Sequence, residues 1–132
     1  MAYLLDIVTP GRTLFSGEVQ YLRVPGTEGS FGVLTGHVPM LSSMQVGELR
    51  FTQEGHGEFQ VATSGGFVEV QAEQVTVLAE TAEFGNEIDL GRAQGARDRA
   101  FHRLADEQDV NETRAKLALT RALNRLKVSD SA

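Results

Sequence analysis

The chain has 132 residues, 41% hydrophobic and 23% charged, with a formal net charge of −6 and no cysteine. That length and composition fit one soluble globular domain with an appendage, and no stretch approaches the roughly 18 apolar residues of a membrane helix. The missing cysteines exclude disulfides, thiolate metal sites and thiol nucleophiles, and the acidic balance argues against nucleic acid, which draws basic patches.

The first residues lack the basic region and apolar core of a signal peptide and run straight into strand-like sequence, which predicts a place in the cytoplasm or on the cytoplasmic side of a membrane. Strands are expected over residues 3–9, 18–24, 48–52 and 67–72. Two more follow from a period of two: Phe59, Val61 and Thr63 alternate with Glu58, Gln60 and Ala62, and Val75, Val77 and Ala79 alternate with Gln74, Thr76 and Glu80. The stretch from Gly29 to Pro39 reads as too glycine-rich for a plain strand and too poor in lysine for a phosphate loop. Many short strands at close spacing predict an antiparallel sandwich or barrel.

A boundary is expected near Gly85. Residues 1–84 carry 3 basic against 10 acidic side chains, all 3 prolines and 11 of the 14 glycines, whereas residues 85–132 carry 9 basic against 8 acidic. Beyond it the period becomes helical. Leu90, Ala93, Ala96 or Arg97, Ala100, Phe101 and Leu104 trace one stripe with Asp89 as N-cap. After a polar stretch at 106–111, Ala115, Ala118, Leu119, Ala122, Leu123 and Leu126 trace a second, with Asn111 as a candidate cap. A short connection makes the two helices antiparallel neighbours, and an alanine-rich seam buries little apolar area, so the hairpin is expected to be held marginally.

Catalytic chemistry is not evident. His37, His56 and His102 are far apart and lack the spacing of a helix-borne metal pair. Lysine occurs only at 116 and 127, which excludes a Walker loop, and Ser64 lacks the Gly-x-Ser-x-Gly frame of a nucleophile elbow.

The pattern Gly29-x-x-Gly32-x-Leu34-x-Gly36-His37-x-Pro39 resembles the loop signature of F-type ATP synthase epsilon subunits. Phe15-Ser16-Gly17, Ser64-Gly65-Gly66-Phe67-Val68-Glu69-Val70, Val75-Thr76-Val77-Leu78-Ala79 and Asp89-x-x-Arg92-Ala93 sit in the same family's order, over essentially the whole chain. The resemblance implies a non-catalytic rotor subunit of a proton-translocating synthase, with a β-sandwich over 1–84 and a regulatory helical hairpin over 85–132. Its implied partners are the gamma subunit, the c-ring and, when the hairpin extends, the alpha/beta catalytic head, where the hairpin inhibits ATP hydrolysis. Gly29, Gly32, Gly36, His37 and Pro39 would form the subunit-interface loop, or only a tight turn. The implied location is the cytoplasmic face of a bacterial plasma membrane, peripheral, with the thylakoid as alternative. No cofactor is implied as required, but ATP is a candidate regulatory ligand. Ile88-Asp89-x-x-Arg92-Ala93 resembles the ATP-binding pattern of some bacterial members, with Glu83, Arg99, Arg121 and Arg125 to complete the set. Against this, Asp89 serves equally as an N-cap and helix arginines as a solvated face. A free-standing nucleotide sensor and a small sandwich enzyme acting through His37 and carboxylates are the competing functional readings.

Overall fold

The computed structural model describes residues 2–105 and 112–131. The first part is a ten-stranded sheet: β1 (Tyr3–Val8), β2 (Thr13–Val19), β3 (Tyr21–Gly26), β4 (Gly29–Val33), β5 (Met40–Met44), β6 (Gly47–Gln53), β7 (Gly57–Thr63), β8 (Gly66–Val70), β9 (Gln74–Ala79) and β10 (Ala82–Phe84). Neighbours run β10-β7-β6-β3-β5-β8-β9-β1-β2, with β4 against β3. All pairs are antiparallel except β1 with β9, which is parallel.

The sheet turns over on itself at β3–β5, where a single register pair, Gly26 with Met44, joins the strands. This brings the β2 end back over β6, and Phe15 of β2 packs on Phe51 of β6 with ring centroids 4.6 Å apart. Between the layers lie the inward residues of each alternating strand: Leu5 and Ile7, Leu22 and Val24, Leu49 and Phe51, Val68 and Val70, Val75 and Val77, all fully or almost fully buried. The Tyr3 hydroxyl crosses this core and donates to the Val33 carbonyl at 2.7 Å. Burial, with the nearby Tyr21 phenol adding to it, pushes the Tyr3 pKa above the ordinary phenol range.

Two strand expectations need correction. The strand expected over 18–24 is two strands broken at Gln20: β2 pairs with β1, while β3 pairs with β4 and β6. The chain changes layers there, and Gln20 is fixed by its N–H on the Thr52 carbonyl (2.9 Å) and its side-chain oxygen on the Glu54 N–H (2.6 Å). The glycine-rich stretch, expected not to be a plain strand, begins with one, β4, and ends at Pro39, just before β5. Gly32 is small because the Tyr21 ring lies over it, where a Cβ would collide. Only residues 34–39 form a loop, with Gly36 at φ +79° in its turn.

A 3-10 turn at Gly85–Glu87 leads to α1 (Leu90–Ala105), followed by α2 (Glu112–Ser131). The Asp89 cap is present, its Oδ1 accepting the Arg92 N–H at 3.0 Å. The candidate cap Asn111 and the polar stretch 106–111 lie outside the described residues. The helices pack through alanines, with Ala93, Ala100, Ala115 and Ala122 buried. Leu90, Phe101 and Leu123, expected in the stripes, are instead about half exposed (50%, 52% and 44%). Alanines fill the seam, and these larger side chains stand at its margins. The hairpin meets the sandwich through a small cluster of Ala62, Ile88, Ala93 and Val128, flanked by Leu126.

Candidate functional site

A cleft of about 590 Å³ opens where the last strand, the 3-10 turn and both helices converge. β10 contributes Glu83, the turn contributes Glu87, and Ile88 and Asp89 line the approach to α1. The first turns of α1 place Arg92, Ala93 and Arg99 along one wall, and Arg125 of α2 closes the other. The α1 residues follow from spacing, since positions three, four and seven apart share a helix face. Ile88 and Ala93 are buried and form the floor, while Arg92 and Arg99 are exposed and free to reorient.

Arg125 is less free. Its Nε donates to Glu83 Oε1 at 2.6 Å, spanning α2 and β10, with both side chains about one third exposed. Arg121, one turn earlier, does not reach the cleft. It borders a small adjoining cavity of about 10 Å³ that shares Thr81 and Arg125 with the cleft and is also lined by Thr63, Ser64 and Asn124, and among the described residues its buried Nε has no hydrogen-bond partner. Seven of the eight expected ligand residues therefore converge and Arg121 is displaced. Thr81, Glu87 and Ala96 also line the cleft. Ala96 shares the helical stripe of Ala93, whereas Glu87 and Thr81 carry no sequence signal for the cleft. The arrangement offers three guanidinium groups to an anion and three carboxylates, on Glu83, Glu87 and Asp89, to hydroxyl or amine donors. The Asp89 carboxylate already spends one oxygen on its cap.

The expected loop residues separate. Gly29 stands at the β3–β4 turn, Gly32 lies inside β4 under Tyr21, and Gly36, His37 and Pro39 occupy the loop proper. His37 is half-buried, its N–H on the Leu34 carbonyl (3.2 Å) and its Nδ1 2.9 Å from the Val38 carbonyl. Leu34, Val38 and Leu41 beside it are 63–74% exposed. Further exposed apolar side chains lie on the outer face of β8 and β9, where Phe67 and Leu78 are register partners, both about half exposed, and border a groove of about 360 Å³ with Val8 and Pro10. Large exposed apolar side chains grouped in this way suit an interaction face. Sequence reading missed Leu41, Phe67 and Leu78: Phe67 and Leu78 occupy outward positions of expected strands, where the period of two predicts a polar residue, whereas Leu41 lies in β5, a strand the sequence does not predict.

The family described as ATP synthase, delta/epsilon chain, beta-sandwich domain matches residues 2–85, and the companion long alpha-helix domain matches residues 86–130. The chain belongs to the ATP synthase delta/epsilon family. Among its relatives, an ATP synthase epsilon chain of Syntrophobacter fumaroxidans is 50% identical over 96% of this chain and 94% of that one. One from Nitratidesulfovibrio vulgaris is 46% identical over 97% and 96%, and one from Syntrophomonas wolfei 41% identical over 97% and 94%. As an epsilon chain of this family it is a non-catalytic subunit of the F-type ATP synthase complex. The fold is shared with a chain in the Euglena gracilis mitochondrial ATP synthase OSCP/F1/c-ring structure, at a TM-score of 0.82 and 23% identity over 96% of this chain and 79% of that one. A chain in the Tetrahymena thermophila mitochondrial ATP synthase central stalk and c-ring structure gives 0.59 at 14% identity over 98% and 97%. No described helix is long and apolar enough to cross a membrane.

Proposed function

We propose that this epsilon chain turns with the central stalk of a proton-driven synthase, seated peripherally at the cytoplasmic face of a bacterial plasma membrane. The sandwich couples the c-ring to gamma through the loop at 34–39 and the apolar face of Leu41, Phe67 and Leu78. The hairpin is a regulatory switch: docked on the sandwich it permits turnover, and extended toward the alpha/beta head it inhibits ATP hydrolysis. The observation that carries the switch is the seam itself, four small or medium residues flanked by an ion pair that is partly exposed. A partly exposed pair contributes about 0–1 kcal/mol, so the docked and released states can lie within a few kcal/mol of each other.

The test is an assembled synthase whose epsilon chain ends after Glu87. ATP hydrolysis is expected to rise several-fold while rotor coupling, read as proton pumping per ATP hydrolysed, persists. Unchanged hydrolysis would remove the inhibitory role and leave coupling standing. Faster hydrolysis with coupling lost would do the opposite, since the sandwich alone would then fail to couple.

The cleft between Glu83 and Arg125 is the proposed seat of ATP, which would favour the docked hairpin by bridging α1, α2 and β10. Charge-assisted contacts to phosphate are worth about 1.5–3 kcal/mol each, so Arg125→Ala is expected to weaken ATP binding roughly ten- to a hundredfold. Arg121→Ala, outside the cleft, should weaken it less. Calorimetry with ATP at millimolar concentration decides the matter: no heat from the parent chain, or equal affinity in Arg125→Ala, would remove the nucleotide from this cleft.

A further inference from the structure

Arg121, Asn124, Arg125 and Val128 lie three and four residues apart, on the side of α2 that faces the sandwich. Val128 belongs to the docking cluster and Arg125 to the cleft. Asn124 does something different from both. Its amide nitrogen stands 2.9 Å from the Gly47 carbonyl oxygen and 3.4 Å from that of Thr63. With two acceptors on one side, only the NH₂ end of the amide can face them.

Gly47 and Thr63 are register partners at the end of the β6–β7 ladder. Thr63 is fixed from its other edge by Ala82 of β10, and its hydroxyl accepts the Gly65 N–H at 3.2 Å. Gly47 is pressed against Pro25, whose Cβ would stand 2.6 Å from a Cβ placed on residue 47. Both acceptors are therefore backbone atoms whose positions the sandwich sets.

We infer that Asn124 is a positioning residue, a clasp that fixes the register at which the hairpin docks by donating to two backbone carbonyls of the sandwich. The proposal rests on the reading that the hairpin leaves the sandwich. Among the described contacts, the apolar cluster and the Arg125–Glu83 pair constrain the register less than these two directed bonds. Alanine contacts have no direction and tolerate sliding, and the Arg125–Glu83 pair joins two flexible side chains at the rim of an open cleft. When α2 departs, water takes over both carbonyls and the Asn124 amide, so the clasp exchanges partners and leaves no buried group unpaired. Its net strength is correspondingly modest, as a reversible switch requires.

Hydrogen exchange on the isolated full-length chain tests the clasp, using Asn124→Ala and Asn124→Asp. Aspartate keeps the shape but, ionised, donates nothing and sets a carboxylate against two carbonyl oxygens. An α2 released from the sandwich is a marginal helix whose amides exchange. Protection of α2 amides is expected to fall about tenfold in Asn124→Ala, equivalent to about 1.4 kcal/mol, and further in Asn124→Asp, while β8 and β9 amides keep the parent protection. Asn124→Asp as well protected in α2 as Asn124→Ala would overturn the proposal, and so would a matching loss of protection in β8 and β9. Exchange is read without the rest of the synthase. An Asn124→Asp chain that releases α2 yet leaves hydrolysis by the assembled complex unchanged would therefore count against the inhibitory role and still support the clasp.

Discussion

Phe51→Ala lowers the unfolding free energy of the isolated chain by about 3–5 kcal/mol, the range for removing a buried phenylalanine from a core that cannot collapse around the gap. Phe51 is fully buried in β6. Its ring centroid lies 4.6 Å from that of Phe15 on β2, 5.1 Å from Phe59 on β7 and 6.4 Å from Phe84 on β10. Phe15 belongs to the far end of the folded-over sheet, so the cavity would open where the two layers meet. Phe84 is the last residue before the 3-10 turn that sets the hairpin's direction, so the same cavity loosens the approach to the cleft. Urea denaturation followed by circular dichroism gives the measurement: the midpoint should fall with the slope unchanged. A loss under about 1 kcal/mol would mean that the aromatic cluster repacks and that the layers are held mainly by their aliphatic strands.

How much of this was legible beforehand depends on whether a residue's role is local. β1, β6, β7, β8 and β9 announce themselves because alternating apolar residues at a period of two have few other solutions, and Leu5, Val61 and Val77 are buried as that period requires. β4 escaped because its glycines signal a loop locally, whereas Gly32 is dictated by Tyr21, a residue on the neighbouring strand. β10, three residues long, is a strand only because β7 pairs with it. In the hairpin the helical period located both helices and the Asp89 cap. It could not tell that Leu90 and Phe101 would sit outside a seam filled by alanine.

The site shows the same division. Ile88 and Asp89 immediately precede the helix that carries Arg92, Ala93 and Arg99, so their convergence follows from local spacing. Glu83 meeting Arg125 joins residues 42 apart, and the resemblance to a known pattern, not chain chemistry, brought them together beforehand. Arg121 shares a helix face with Arg125, four residues on. What the period could not supply is that one turn of helix carries it past the cleft to the Ser64–Thr81 edge. Asn124, whose partners lie 77 and 61 residues away, offered nothing to read.

Gly66→Ala should be among the most damaging single-methyl changes in the sandwich, costing about 3 kcal/mol or more. Gly66 holds φ at +143°, which L side chains avoid, and a Cβ there would run into the Leu78 carbonyl oxygen and stand 3.0 Å from the Ala79 Cα. Those are backbone atoms of β9, the strand that pairs with β8, and Gly66 also pairs with Met44 of β5 on its other side. Relief therefore requires prising β8 from a neighbour, so strain of about 1–3 kcal/mol in the backbone adds to an overpacking cost of similar size. Two companion substitutions separate these contributions. Gly36→Ala, with φ +79° but nothing within 4 Å, should show the conformational cost alone, about 1 kcal/mol. Gly11→Ala, with open space and no positive φ, should be neutral or slightly stabilising. If Gly66→Ala proves no worse than Gly36→Ala in thermal or urea unfolding, the β8–β9 spacing yields easily. The apolar face carrying Phe67 and Leu78 would then be a soft surface, not the rigid one that a rotor clamp needs.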